Sequence, residues 1–241
     1  MPLTIEKNYT IPSHEGRVIT AADRAPFNWE TWSLLARDGR DSIVGTLETE
    51  SGRRYVVKWN KRNIPVEDLS ASAKYIKKSV ELYRATLGDD YIVPTSLAVG
   101  EKSEGSTRYK LYTVQPYVEG WTARELPDNL HTNPEILQKW YVLYGRIAHL
   151  YQVANEVNRQ VHSTGSGEIY PIALRIGQLW GYISQGLSYP PLPKSPNILI
   201  SKANHDIKLC DFGTTTSWGD EMEIAYTQII ERVSNSRTNI S

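Results

Sequence analysis

Residues 181–213 read GYISQGLSYPPLPKSPNILISKANHDIKLCDFG, and the fold turns on this stretch. Pro190, Pro191, Pro193 and Pro196 remove backbone donors and restrict φ, so SYPPLPKSPN is a loop that cannot be helical. NILIS and DIKLCDF follow as short apolar runs around Lys202-Ala203-Asn204-His205, and they predict two short strands joined by a turn. This unit carries three polar side chains of chemical interest. Lys194 and Asn197 precede the first strand, and Asp211 ends the second, fourteen residues after Asn197. Each also has a plain structural alternative: a solvated loop lysine, an Asx-turn asparagine after Pro196, and a turn aspartate closing a strand.

Working towards the N-terminus, VEDLSASAKYIKKSVELYRATL (66–87) predicts a helix. Leu69, Ala73, Ile76, Val80, Tyr83 and Leu87 recur at steps of three and four, and Gly88 supplies a stop. Before it, WSLLAR, SIVGTLET and RRYVVKW are separated by Asp38-Gly39-Arg40-Asp41 and Glu50-Ser51-Gly52, which predicts an antiparallel meander between Trp32 and Trp59. YIVPTSLAVGE and YKLYTVQPYVEG predict two more strands across a polar turn, Lys102–Arg108. Residues 1–25 mix Pro, Ser, Gly and charge and read as an irregular lead-in. After Gly120 the chain turns helical, with helices expected from Pro134 to about Val157, near Ile172–Gln185 and over 219–234.

Composition narrows the function classes. The 241 residues carry 27 Lys+Arg against 27 Asp+Glu, and this balance argues against a nucleic-acid-coating protein and a basic membrane-surface helix. No apolar run is long enough to cross a bilayer, and the first residues have no secretory pattern. The lone Cys210 rules out an internal disulfide framework and a cysteine-based zinc site, so a cytoplasmic setting is expected. Seven Trp and fifteen Tyr against two Phe indicate a core, or a partner surface, rich in polar-tipped aromatics. The histidines show no metal-ligand spacing, and His149 is expected to be a packed or capping residue and His205 a turn residue.

The order of elements and the motifs within it resemble the protein-kinase-like superfamily. The resemblance covers residues 30–213 and is strongest at Asp211-Phe212-Gly213, which matches D-F-G. It implies an α+β, bilobal fold: a lead-in at 1–25, a five-stranded antiparallel N-lobe with one helix at 26–117, and a small, mostly helical, shortened C-lobe at 118–241. It also implies ATP with Mg²⁺ in the interlobe cleft, Asp211 and Asn197 as metal ligands, and Lys194 as the catalytic-loop lysine that neutralises a transferring phosphoryl group. Lys58, in Tyr55-Val56-Val57-Lys58, resembles the third-strand lysine of V-A-I-K, with Glu81 as its helix partner. A local ion pair of Glu81 with Lys77 or Lys78 is the alternative for that carboxylate. Val114 to Gly120 resembles the hinge, with Val114 as gatekeeper and Gln115 to Tyr117 along the adenine edge. Pro116 has no N–H, so the hinge donor falls to Tyr117 or Val118.

Three departures qualify the resemblance. The catalytic Asp of H-R-D-x-K-x-x-N falls on Leu192, and no carboxylate lies between Glu168 and Asp206. Leucine can neither accept a proton nor orient a hydroxyl. In the Gly-rich loop only Gly39 fits, with Arg37 and Ser42 at the other glycine positions. Only 28 residues follow Gly213, with no A-P-E, which by size resembles the shortened kinases among bacterial effectors delivered into another cell. The expected function is a pseudokinase-like binding or regulatory module holding ATP, with a protein partner or substrate and neither nucleic acid nor membrane. The alternative is an active atypical kinase or nucleotidyl transferase using Lys58, Lys194, Asn197 and Asp211 without the usual base.

Overall fold

The computed structural model describes residues 10–12, 18–20, 27–36, 42–49, 52–60, 64–101, 108–162, 192–211 and 220–238. These form a mixed α/β structure in which every sheet is antiparallel. In chain order the strands are β1 (Thr10–Pro12), β2 (Val18–Thr20), β3 (Phe27–Ala36), β4 (Ser42–Thr49), β5 (Arg54–Asn60) and β6 (Ile64–Pro65). Helix α1 (Val66–Leu87) follows, then β7 (Ser96–Glu101), β8 (Arg108–Pro116) and β9 (Gly120–Thr122). The remaining elements are α2 (Pro134–His162), β10 (Ile198–Ser201), β11 (Ile207–Leu209) and α3 (Asp220–Thr238). The helix expected near 172–185 lies outside the described residues.

The chain divides into two compact units. The described part of the first comprises β1 to β6, the N-terminal half of α1 up to Lys77, and residues from Pro94 to Tyr117. Its main sheet has the meander β3-β4-β5, with β8 beside β5 and β7 on the other edge of β8. Two-residue β6 adds a sixth strand by pairing Ile64 with Tyr109, where five strands were expected. Gly52, at φ 76°, takes the left-handed turn between β4 and β5 that a side chain would strain. Leu47, Val57, Tyr112 and Val114 make the buried centre of one sheet face, with Ile43 and Tyr55 packed against them. The lead-in is not wholly irregular: β1 and β2 pair from Thr10↔Thr20 to Pro12↔Val18.

The second unit holds residues from Lys78 to Val93 and the described residues after Tyr117, apart from any between Gly213 and Ser217. Helix α1 spans the limits its periodicity predicts, and all six named apolar positions are buried. Its C-terminal half belongs with the second unit because its side chains are held there. Arg146 of α2 donates to the carbonyl of Leu87, and its guanidinium lies 5.1 Å from the ring centre of Tyr91. A cation at a helix C-terminus meets the unpaired carbonyls and the negative end of the dipole. Gly88, at φ 106°, ends the helix, with its N–H on the carbonyl of Arg84.

Helix α2 begins with Asn133 as a side-chain cap: its Oδ1 accepts the N–H groups of Glu135 and Ile136 at 2.9 and 3.2 Å. Ile136, Trp140, Leu143, Ile147, Leu150, Ala154 and Val157 form one fully buried stripe at alternating steps of four and three. Each large side chain in it contributes about 1.5–3 kcal/mol of burial. Met222, Ala225, Tyr226, Ile229 and Val233 form the buried stripe of α3. The two helices are tied by His149 Nε2 with Ser236 Oγ at 2.7 Å and by Arg232 with Gln160 and Glu156. Among the described residues no helix is long and apolar enough to cross a membrane.

Candidate functional site: a loop and hairpin carrying Asn197 and Asp211

The hairpin β10–β11 pairs Ile198 with Leu209 and Ile200 with Ile207. Its alternation places Ile198, Ile200, Ile207 and Leu209 in the core. Strand β9 covers one edge, with Leu199 opposite Thr122 and Ser201 opposite Gly120. On the other side Ile92 bridges Leu209, and the Val93 N–H donates to the Leu209 carbonyl at 3.0 Å. The turn is held by α2: Lys139 Nζ donates to the carbonyl of Asn204 at 2.5 Å and to Asp206 Oδ1 at 3.0 Å. His205, at φ 53°, sits in that turn and meets Glu135 Oε2 at 3.1 Å.

Two of the expected metal ligands lie at the open end of this clamped hairpin. The Cys210 N–H donates to the Asn197 carbonyl at 3.0 Å, extending the ladder one step past Ile198, so Asn197 stands opposite Cys210 and Asp211 is the next residue along the chain. Asp211 has φ 71°, a left-handed backbone that aspartate tolerates better than most residues with a side chain. The Asn197 carboxamide oxygen and the Asp211 carboxylate are hard donors suited to Mg²⁺. Among the described residues no group of three or more His, Cys, Asp or Glu forms a metal cluster. One carboxylate and one amide leave the remaining positions around such an ion to water or ligand oxygens.

The loop before the hairpin separates two residues that the sequence placed two positions apart. Lys194 is exposed, as both a ligand-facing lysine and the solvated loop lysine of the alternative would be. Leu192, at the base position, is 3% exposed and belongs to the core. The position that the resemblance aligned with a catalytic Asp is thus filled by apolar packing.

In the first unit the register sorts the remaining expected residues by face. Lys58 lies opposite Val44 and Thr113, and Val56 opposite Thr46 and Gln115. Directly paired residues point to the same side, so Lys58, Thr113 and Gln115 share one face. Val57 pairs with Val114, which is 4% exposed on the opposite face within the Leu47–Tyr112 cluster. The side chain next to Lys58 on β8 is therefore that of Thr113, which sequence spacing did not single out and strand parity would have found. The Gln115 amide Nε2 donates to Thr95 Oγ1 at 2.8 Å. Of the two candidate hinge donors, the Tyr117 N–H is committed to the Arg54 carbonyl at 3.0 Å, and the Arg54 guanidinium stands 4.4 Å from the centre of the Tyr117 ring. That leaves Val118 as the candidate donor. Gly39, Arg37, Phe212 and Gly213 lie outside the described residues.

Glu81 falls in the second unit, apart from Lys58 in the division of the chain. Its carboxylate meets Lys78 Nζ at 3.5 Å, the local helix pair that was the alternative expectation, and accepts the Tyr226 hydroxyl at 3.2 Å. Lys78 also meets Glu223 at 3.1 Å and lies 4.7 Å from the centre of the Tyr226 ring. Burial alone would lower the Lys78 ammonium, but Glu223 and Glu81 outweigh it and hold its pKa above the ordinary value. Burial pushes the Tyr226 phenol well above its ordinary range, and the nearby Glu81 and Glu223 charges add to the effect.

No family model matches the chain, and no curated protein matches it. Among solved structures a MAP kinase from Leishmania major is similar, with a TM-score of 0.36 and 16% identity over 79% of this chain. The chain spans 47% of that kinase's length. A likeness of this size assigns neither a fold family nor an activity.

Proposed function

We propose that the chain is a protein-kinase-like, nucleotide-binding module that takes ATP with Mg²⁺ and in which phosphoryl transfer is weak or lost. One observation supports this: the hairpin ties Asn197 to Cys210, the residue before Asp211, and Asp211 has a left-handed backbone, while Leu192, where the resemblance expects the base, is buried. Asn197 and Asp211 would hold the ion that bridges the phosphates, and the ion would neutralise their charge. Lys58 on β5 would meet the α- and β-phosphates, with Thr113 and Gln115 on the same strand face. The Gln115 backbone and the Val118 amide would meet the adenine edge. General-base loss typically costs about 10²–10⁴-fold, so binding outlasts turnover in such a site. The partners that suit this reading are the nucleotide and a protein bound by the chain, in a cytoplasmic setting of the producing cell or of a cell into which the chain is delivered.

A second reading has the exposed Lys194 in its favour. Phosphoryl transfer depends mainly on positioning and charge stabilisation, so a lysine three residues before Asn197 leaves room for slow phosphoryl or nucleotidyl transfer. Thermal unfolding with Mg²⁺·ATP tests the nucleotide reading. Ligand at 100 times its dissociation constant stabilises by about 2.7 kcal/mol, and no shift at millimolar ATP sinks both readings. Where a shift is found, ATP labelled at the γ- or the α-phosphate separates the two. Label entering protein and lost in Asp211→Asn would replace the binding module with a transferase.

A further inference from the structure

We propose that Ser195 is a positioning residue whose buried hydroxyl locks the backbone of Asn197, presetting the Asn197 carboxamide for a divalent cation shared with Asp211. The proposal rests on the nucleotide–Mg²⁺ reading and adds to it a residue that lies at an unspecified position of H-R-D-x-K-x-x-N. Ser195 is 4% exposed, although it follows the exposed Lys194 in a proline-rich loop. A buried hydroxyl is costly unless it is hydrogen-bonded, and here Ser195 Oγ accepts the Asn197 N–H at 3.2 Å. The Ser195 N–H in turn donates to the Pro193 carbonyl at 2.7 Å, closing a three-residue turn.

The other backbone handle of Asn197 is also taken. Its carbonyl accepts the Cys210 N–H at 3.0 Å and the Cys210 thiol at 3.5 Å. Pro193 and Pro196 have restricted φ, and Leu192 and Ser195 anchor the loop in the core on either side of Lys194. With N–H and carbonyl both engaged, the direction in which the Asn197 side chain leaves the backbone is set, and only its rotamer remains to be chosen. Where the described residues offer one carboxylate and one amide, the placement of the amide matters. Loss of a group that orients a metal ligand typically costs about 10–100-fold in metal affinity.

The test is calorimetric titration of the full chain with ATP in EDTA and with Mg²⁺ at saturating ATP. It compares wild type, Ser195→Ala, Ser195→Thr and, as reference, Asn197→Ala. Ser195→Ala is expected to need about tenfold more Mg²⁺ while binding ATP in EDTA as wild type does. Ser195→Thr, which keeps the acceptor, is expected to stay within about twofold of wild type. Asn197→Ala is expected to lose at least as much Mg²⁺ affinity as Ser195→Ala. An unchanged Mg²⁺ requirement in Ser195→Ala overturns the proposal. So does an equal loss of ATP binding in EDTA, which would mean a general loosening of the loop. If wild type binds Mg²⁺·ATP and Ser195→Ala matches it, the positioning role alone falls. If wild type binds no nucleotide, the functional reading falls and takes this role with it.

Discussion

Placing a carboxylate where the resemblance expects one, by Leu192→Asp, is the obvious way to seek activity, and the structure predicts that it destabilises the chain severely instead. Leu192 is 3% exposed. Removing its side chain from the core forfeits about 2 kcal/mol of apolar burial. A carboxyl in that place ionises reluctantly, with its pKa raised by about 3 units, and at 1.36 kcal/mol per unit this costs about 4 kcal/mol at neutral pH. The sum, about 6 kcal/mol, is comparable to the whole stability of a domain, about 5–15 kcal/mol. The pH dependence has a definite sign. The introduced group has a folded pKa above its unfolded value of about 3.9, so the neutral form's contribution is complete below that pH and is lost as pH rises towards about 7. Urea denaturation between pH 4 and pH 8, with Leu192→Asn as the uncharged control, reads this directly. The two variants are expected to be closest at low pH and to separate as pH rises. A Leu192→Asp chain as stable as wild type at pH 7–8 would refute the reasoning, because the carboxylate would then be reaching water and the base position would be open.

Arg146→Met removes both the donor to the Leu87 carbonyl and the cation beside Tyr91, and is expected to cost about 1–2 kcal/mol in denaturant unfolding. Gly120→Ala puts a Cβ into the backbone carbonyl of Ile200, so β9 must shift, and a loss of about 1–3 kcal/mol is expected in the same assay. Tyr226→Phe deletes the hydrogen bond to Glu81 and is expected to cost about 1 kcal/mol near neutral pH. Because burial raises the Tyr226 pKa in the folded chain, wild type loses stability as pH climbs past the ordinary 10.0. Alkaline unfolding should find the difference from Tyr226→Phe shrinking there.

What the sequence made legible was local. Helix α1 could be bounded from its apolar spacing and Gly88, and the β3-β4-β5 meander from its turns, because each depends on neighbours within a few residues. Strands β6 and β9 escaped notice because Ile64-Pro65 and Gly120–Thr122 are strands only through partners far along the chain. The same reason explains the site. Counting from the motif named Asn197, Asp211 and Leu192, but whether a side chain faces ligand or core is set by register and burial. Val114 faces away from Lys58 because of which β5 residue it opposes. The Tyr117 amide is engaged by Arg54, and Glu81 by Tyr226, 145 residues later.

The backbone at Asp211 also limits how such a site can decay. A left-handed conformation costs most side chains about 1–2 kcal/mol, while glycine, asparagine and aspartate adopt it readily. A lineage that stops using the metal can thus discard the charge cheaply only through Asn or Gly, since other replacements also strain the end of the hairpin. Among relatives of this chain, asparagine or glycine at this position would mark sites retired from metal binding with their architecture intact, and alanine or valine would mark a hairpin already rebuilt.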